Sequence, residues 1–332
     1  MHCFGFNAIC FVFDRSGFDY LGEARGWPQN TKCRGTIADV AGFEKETKAW
    51  FASWWLKNIS RDDAGRPLDV DQGTVPWTIS IVDSWQPAPS SKTRTITVYT
   101  NAPRVDLLVN GDRVDSLAVP FFGQATFENV EYAAGNVTAR GLDGNGKAVI
   151  NHTKFSVGET HALVLSIDAP SPHTGTGTHL LLDGEDVALI RASFVDARGE
   201  LVPANDNVTF QVVSGPGYIL ATHSGSPANL SPNHAAWTPA YHGLARAIIR
   251  TTADFSTSAH HRKRISEMHR PEDLTIDVLD PSVRSIDVTP PPIVVKATSG
   301  SGFSATLTLP TSANAARHGV LSVAAAGSSW KR

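Results

Sequence analysis

Cysteine is scarce in this chain: three in 332 residues, Cys3, Cys10 and Cys33, all in the first tenth. Everything after Cys33 therefore folds without an internal disulfide, and the lack of any CxxC or Cys/His ligand spacing argues against a zinc framework. Long apolar runs are missing as well. No stretch reaches the roughly 18 residues that mark a membrane-spanning helix, and the apolar residues 1–13 lack the Lys/Arg-rich start of a signal peptide. Charge of one sign is not in excess. A formal net charge of -3 gives no general attraction to nucleic acid or anionic membrane, so neither is expected as a partner. No phosphate loop, nucleophile elbow or metal motif occurs, so neither a cofactor nor a metal is expected.

What is present is a globular composition, 41% hydrophobic and 18% charged, in a length that accommodates two or three domains. Near the start, Phe11, Val12 and Phe13 run into Gly17, Phe18, Asp19, Tyr20 and Gly22, the pattern of a buried strand that ends in a polar loop. A helix is predicted next: Phe43, Thr47, Trp50, Phe51, Trp54 and Trp55 recur at three- and four-residue steps, and Glu44 and Lys48 form an i,i+4 pair. Strand, polar loop and apolar helix make up the repeating unit of α/β barrels.

The stretch Gly17 to Glu23, then Trp27-Pro28, then Ile37 to Phe43 and the aromatic helix resemble the last strand, loop and helix of a glycoside hydrolase family 2 barrel, in its β-galactosidase-like branch. Val98 to Gly111 resembles the β-domain that follows the barrel, and Val187 to Val213 with Gly243 to Arg250 resembles a further immunoglobulin-like domain. The resemblance implies a mainly β chain, with tandem immunoglobulin-like β-sandwiches preceded by the last strand and helix of a (β/α)8 barrel. In the family a Trp stands shortly before the Gly-Phe-Asp-Tyr motif; here Phe13 to Ser16 occupies that region. The resemblance further implies that both catalytic Glu residues belong to earlier barrel strands, so no catalytic residue maps onto this chain. Alone, the chain is expected to be inactive. A carbohydrate, a β-glycoside, is the implied partner of the full-length protein.

The implied organisation is a barrel end over 1–58, a linker over 59–74 and a β-sandwich over 75–156. An immunoglobulin-like sandwich over 157–255, a linker over 256–272 and a β-rich tail over 273–332 complete it. Alternation supports the sandwiches. In the first, Thr95, Thr97 and Tyr99 face one way and Ile96 and Val98 the other; Asn110-Gly111 marks a two-residue hairpin, and Asp143-Gly-Asn-Gly146 joins 136–142 to 147–153. That last turn begins like a calcium loop but lacks the later Glu ligand, so turn chemistry is the better reading. In the second, strands are predicted at 161–167, 187–195, 208–213 and 244–251, with Asp196 to Gly199 as a turn. The basic run His260 to Arg264 reads as a solvated linker, and strands at 274–279, 293–297, 303–309 and 320–324 either complete the preceding sandwich or form a small extra one.

Two sets of site residues follow. Asp19, Glu23 and Trp27 are candidates for sugar contact, because barrel sites lie at strand C-termini and aromatic faces stack on sugar rings; the competing structural role for the two acids is loop capping or pairing with Arg25 and Arg34. A secondary ligand loop at 222–242 offers His223, Trp237 and Tyr241, against the alternative that they pack the loop onto its own sandwich. A lone strand and helix cannot close a barrel, so the 1–58 piece is expected to dock on the next sandwich or to stay poorly ordered. Sequons at Asn58, Asn136, Asn151, Asn207 and Asn229 permit glycosylation of an exported chain; an extracellular or endomembrane location would need a signal peptide upstream of residue 1. The alternative to a glycosidase C-terminal portion is a non-catalytic β-sandwich module that binds carbohydrate or protein.

Overall fold

Period-two alternation dominates the chain, and the computed structural model is built accordingly from short strands with one ten-residue α-helix among the described residues. Those residues are 17–24, 26–32, 35–57, 59–61, 67–69, 75–88, 91–121, 123–252 and 290–312. The strand expected at 11–13, the three cysteines, Arg25, Arg34, the basic run 260–264 and the strands expected at 274–279 and 320–324 lie outside them. The chain forms two compact units, one of residues up to 161 with 195–202 and 224–230, the other of 162–194, 203–223 and 231 onward.

The first unit opens with β1 (Tyr20–Leu21) paired antiparallel to β2 (Thr31–Lys32), followed by α1 (Glu46–Trp55). No barrel sheet is formed by the described part of 17–57, which holds the two-residue β1 and β2 and isolated bridges of Ala38 to Phe18 and Glu44. The helix is where the aromatic spacing placed it. Trp50 stacks on Trp54 at 4.8 Å and Phe51 on Trp55 at 4.7 Å, the i,i+4 contacts that a helix makes possible. It docks on the sandwich that follows: Asn101 donates through Nδ2 to Leu56 O at 3.0 Å, satisfying a carbonyl near the helix end, and Lys57 Nζ donates to Phe121 O at 3.2 Å.

A short hairpin, β3 (Ile59–Arg61) with β4 (Pro67–Asp69), leads to the sandwich. One sheet has the order β5-β6-β9, from β5 (Ile79–Ile81), β6 (Thr93–Thr100) and β9 (Ala125–Glu131). The other has the order β11-β10-β7-β8, from β7 (Arg104–Val109), β8 (Asp112–Ala118), β10 (Asn136–Leu142) and β11 (Ala148–Phe155). Ile96 and Val98 point into the core with Ile81, Leu107, Phe127 and Val137, on the face that the alternation assigned to them. Trp85 is buried in the same core and donates through Nε1 to Ala133 O at 3.1 Å, so its polar atom is satisfied. Between β7 and β8, Asn110 and Gly111 both adopt positive φ, 51° and 95°, the conformation of a tight hairpin turn. Asp143 Oδ1 accepts from the N–H groups of Asn145 and Lys147, so this carboxylate serves its own turn.

The second unit is also a sandwich. Its sheets are β12-β14-β18-β16, from β12 (Ala162–Ala169), β14 (Val187–Val195), β16 (Gly217–His223) and β18 (Leu244–Thr251), and β17-β15-β19-β20, from β15 (Asn207–Ser214), β17 (Trp237–Pro239), β19 (Ile293–Ser299) and β20 (Ser304–Leu309). Of the two arrangements open for the tail, residues 293–309 take the first: β19 pairs with β15, and Ile293, Val295, Ala297 and Leu309 share one core with Ile190, Phe194, Phe210 and Ile249. A parallel pair, β13 (Leu180–Leu181) with β21 (Thr311–Ser312), closes that connection. On the outer face Asp168 Oδ2 accepts from Arg191 Nε and Nη2 at 3.0 and 2.9 Å and from Arg246 Nη1 at 2.6 Å, a charge-assisted clasp over three adjacent strands.

Candidate functional site

The loop chemistry begins in the backbone. Gly17 O accepts from the N–H groups of Ile37 and Ala38, and Asp19 N donates to Ala38 O at 2.9 Å, which lays 17–19 alongside 36–38. That register brings Asp19 against Thr36, and Lys45, just before α1, reaches the same point. Asp19 Oδ1 accepts from Thr36 Oγ1 and from Lys45 Nζ at 2.9 Å, while Lys45 Nζ also donates to Thr36 Oγ1 at 2.7 Å. Asp19 is 5% exposed, so its carboxylate joins the polypeptide before β1 to the start of the helix rather than facing solvent. An ionised group this buried is tolerated because the cation and hydroxyl replace its water.

Glu23 sits at positive φ, 49°, at the start of the β1–β2 connection; it accepts from Tyr20 OH at 2.7 Å and lies 3.9 Å from Lys32 Nζ. Trp27, at the tip of the same connection, is 81% exposed. The loop is closed by Gly22 N donating to Asn30 O at 2.9 Å and Gln29 N to Gly26 O at 3.0 Å. The three candidates thus share one hairpin region, with Trp27 presented to solvent, Glu23 engaged by Tyr20 and Lys32, and Asp19 buried. The residues that pair with the acids, Thr36, Lys45, Tyr20 and Lys32, were not among the sequence candidates. Lys45 carried a usable signal, as a cation at the helix start three residues after Gly42; Thr36 carried none.

The second set spans the end of β16, the start of β17 and the turn beyond it. His223 ends β16 in one sheet of the second unit and is buried, which pushes its imidazole pKa down, whereas Trp237 opens β17 in the facing sheet and is 42% exposed. Tyr241 lies beyond β17 in a turn whose N–H bonds to Leu244 O, with its ring 4.1 Å from that of His242. Thr222 Oγ1 donates to the carbonyls of Ala235 and Trp237, so the presumed loop is partly sheet-linked structure. Among the described residues no group of three or more His, Cys, Asp or Glu side chains is placed to hold a metal.

One further carboxylate has perturbed chemistry. Asp196 accepts from the N–H groups of Gly158, Arg198 and Glu200 at 3.1, 2.9 and 3.0 Å, and these bonds, Gly158's foremost, hold its pKa well below the usual carboxylate range. Its oxygens are spent on a turn and on the preceding 156–161 segment, not on a reaction centre.

Taken as architecture, these features define a mainly β protein of tandem sandwiches with a loop-and-helix piece in front. Residues 174–259 match the family model described as glycoside hydrolase family 2 C-terminal domain 5, and residues 91–150 match a domain of unknown function, DUF4982. The chain therefore carries a C-terminal domain of the glycoside hydrolase family 2 type. It is 24% identical over 244 residues to the β-galactosidase BoGH2A of Bacteroides ovatus, a match that covers 71% of this chain and 25% of that protein. It is 31% identical over 182 residues to a β-glucuronidase of Formosa agariphila, covering 54% of this chain and 17% of the relative. Among solved structures, a β-glycosidase from Bacteroides vulgatus superposes with a TM-score of 0.65 at 19% identity, over 89% of this chain and 30% of that one. The chain spans about a quarter or less of the length of these curated relatives.

Proposed function

We propose that this chain is the C-terminal portion of a retaining family 2 glycosidase, β-galactosidase-like, in which the two sandwiches brace the catalytic barrel. Hydrolysis with retention needs two carboxyl groups about 5 to 5.5 Å apart on either side of the glycosidic bond. In this reading both belong to polypeptide that precedes the present sequence, and the 17–57 piece is the barrel's last loop and helix. The observation that carries the reading is the order of the matched domains, 91–150 and then 174–259, directly behind that piece. It is supported by the exposure of Phe18, Leu21, Trp27 and Trp55, large apolar side chains on a segment too small to bury them. The domain bounds are then 1–58, 75–156 and 157–255 with the tail, and Asp19, Glu23 and Trp27 edge the sugar site, Trp27 by stacking and Asp19 by holding the loop. The β-glycoside substrate belongs to the full-length protein.

The test is an assay of the purified 332-residue chain on aryl β-galactosides and β-glucuronides. No turnover is expected. Turnover that persists through purification and disappears on substitution of a residue in this chain would overturn the proposal.

A further inference from the structure

Asn30 stands where the β1–β2 connection closes, three residues after the exposed Trp27, and every one of its polar groups is engaged. Its carbonyl accepts from Gly22 N at 2.9 Å, which shuts the loop; its Oδ1 accepts from Thr31 Oγ1 at 3.0 Å. Its N–H donates to Pro227 O at 2.9 Å and its Nδ2 to Asn229 O at 2.7 Å, about 200 residues further along the chain. The 224–230 segment that receives these bonds belongs to the same compact unit as the hairpin. It is rigidly seated: Ser224 is fully buried, Asn229 is 5% exposed, and Asn229 N bonds to Ser226 O at 3.1 Å.

The segment also passes close to Asp39. A Cβ on Gly225 would lie 1.9 Å from Asp39 Oδ2, and Gly225 has φ +82°, so only glycine permits this approach. Asp39 is itself fixed, its Oδ1 accepting from Ala41 N and Phe43 N at 2.8 and 2.9 Å. The segment thus approaches Asp39 at Gly225 and is hydrogen-bonded to Asn30, and the Trp27 loop is closed against a support that is distant in sequence. A stacking platform that is already ordered before binding loses less entropy when a ligand arrives.

We infer that the 224–230 segment is the positioning element for Trp27, fixing the 22–30 loop in the shape that offers the indole to a pyranoside ring. The ligand half of this inference rests on the sugar-contact role proposed above for Trp27; the positioning half does not.

The 332-residue chain labelled with 5-fluorotryptophan separates the two, with the Trp27 fluorine signal assigned by Trp27→Phe. Asn30→Asp is isosteric and keeps the backbone bond to Pro227 while removing the donor to Asn229; Asn30→Ala is the second variant, and a thermal melt checks that each is folded. Without sugar, the Trp27 signal is expected to shift or broaden in both variants while the signals of the other tryptophans stay in place. An unchanged Trp27 signal in both overturns the positioning role. With methyl β-D-galactopyranoside, the full-length protein carrying this portion is expected to show a saturable Trp27 response, and its Asn30→Asp variant an affinity about fivefold weaker, as the loss of one hydrogen bond gives. Equal affinities contradict positioning; a Trp27 signal indifferent to the sugar in the full-length protein contradicts the ligand role alone.

Discussion

Residues 17–57 and residues 79–155 belong to one compact unit, yet they are held by different physics. The sandwich has Ile81, Ile96, Val98, Leu107 and Phe127 at 0–1% exposure, an apolar core that both of its sheets supply. Among its described residues the leading piece buries only Ala38, Phe43 and Phe51 of its apolar side chains, and buries beside them Asp19, Thr31, Thr36, Ser53 and Lys57. One region carries its own hydrophobic driving force; the other is kept in place by directed polar bonds and by docking of α1. The order of the leading piece therefore depends on its neighbours.

The comparison breaks hardest in the core. Phe127→Ala should cost about 3–5 kcal/mol, the usual range for a fully buried aromatic, and urea unfolding should show the first unit melting early with α1 helicity lost alongside. Retention of the helix signal after the sandwich has melted would mean that the leading piece stands by itself. Lys45→Ala comes next. It strips a cation from the buried Asp19, and because Lys45 is itself about a quarter exposed, the cost should fall to roughly 2 kcal/mol, below the 3–5 kcal/mol of a fully buried pair. Hydrogen exchange should rise across 17–45 and stay unchanged in β6; equal loss of protection in β6 would erase the distinction between the two regions.

A smaller effect sharpens the sandwich side. His152 Nδ1 accepts from Ile81 N at 3.0 Å, and burial, with a lesser push from Lys154, lowers its pKa. The folded state therefore binds fewer protons than the unfolded chain, so this contribution to stability is complete above the ordinary histidine pKa of about 6.5 and is lost as pH falls through it. The buried His223 shifts in the same direction. Urea midpoints should drop between about pH 7.5 and pH 5.5, and His152→Gln should flatten the part of the slope that belongs to the first unit. An unaltered slope would remove His152 from the account. The depressed Asp196 acts elsewhere: its contribution is present above the ordinary Asp pKa, about 3.9, and fails only as pH falls below it. Smallest of all, Trp55→Ala, at a side chain 67% exposed, should change stability by about 0.5 kcal/mol or less in the isolated chain.

The sandwiches were legible because alternation is local. Ile96 and Val98 against Thr95, Thr97 and Tyr99 announced a strand and its inner face, Asn110-Gly111 its neighbour's turn, and β18 lies at the predicted 244–251. Strands with interrupted alternation were missed. Residues 125–131 bury Ala125, Phe127 and then Val130, because the pairing with β6 shifts register and Asn129 takes φ 55°. Residues 217–223 carry a similar shift between Ile219 and Ala221. At the candidate site, the hairpin that groups Asp19, Glu23 and Trp27 follows from sequence proximity. The support at Pro227 and Asn229 could not be read, since no local pattern links Asn30 to residues so far along the chain.

Sequencing the native transcript through the codon for residue 1 decides whether, as proposed, this sequence is the C-terminal portion of a two-carboxylate glycosidase. The expected result is an open reading frame continuing upstream into several strand–helix units with two Glu residues at strand ends. A transcript whose translation starts at Met1 would contradict it, and sugar binding by the sandwiches would then be the function to pursue.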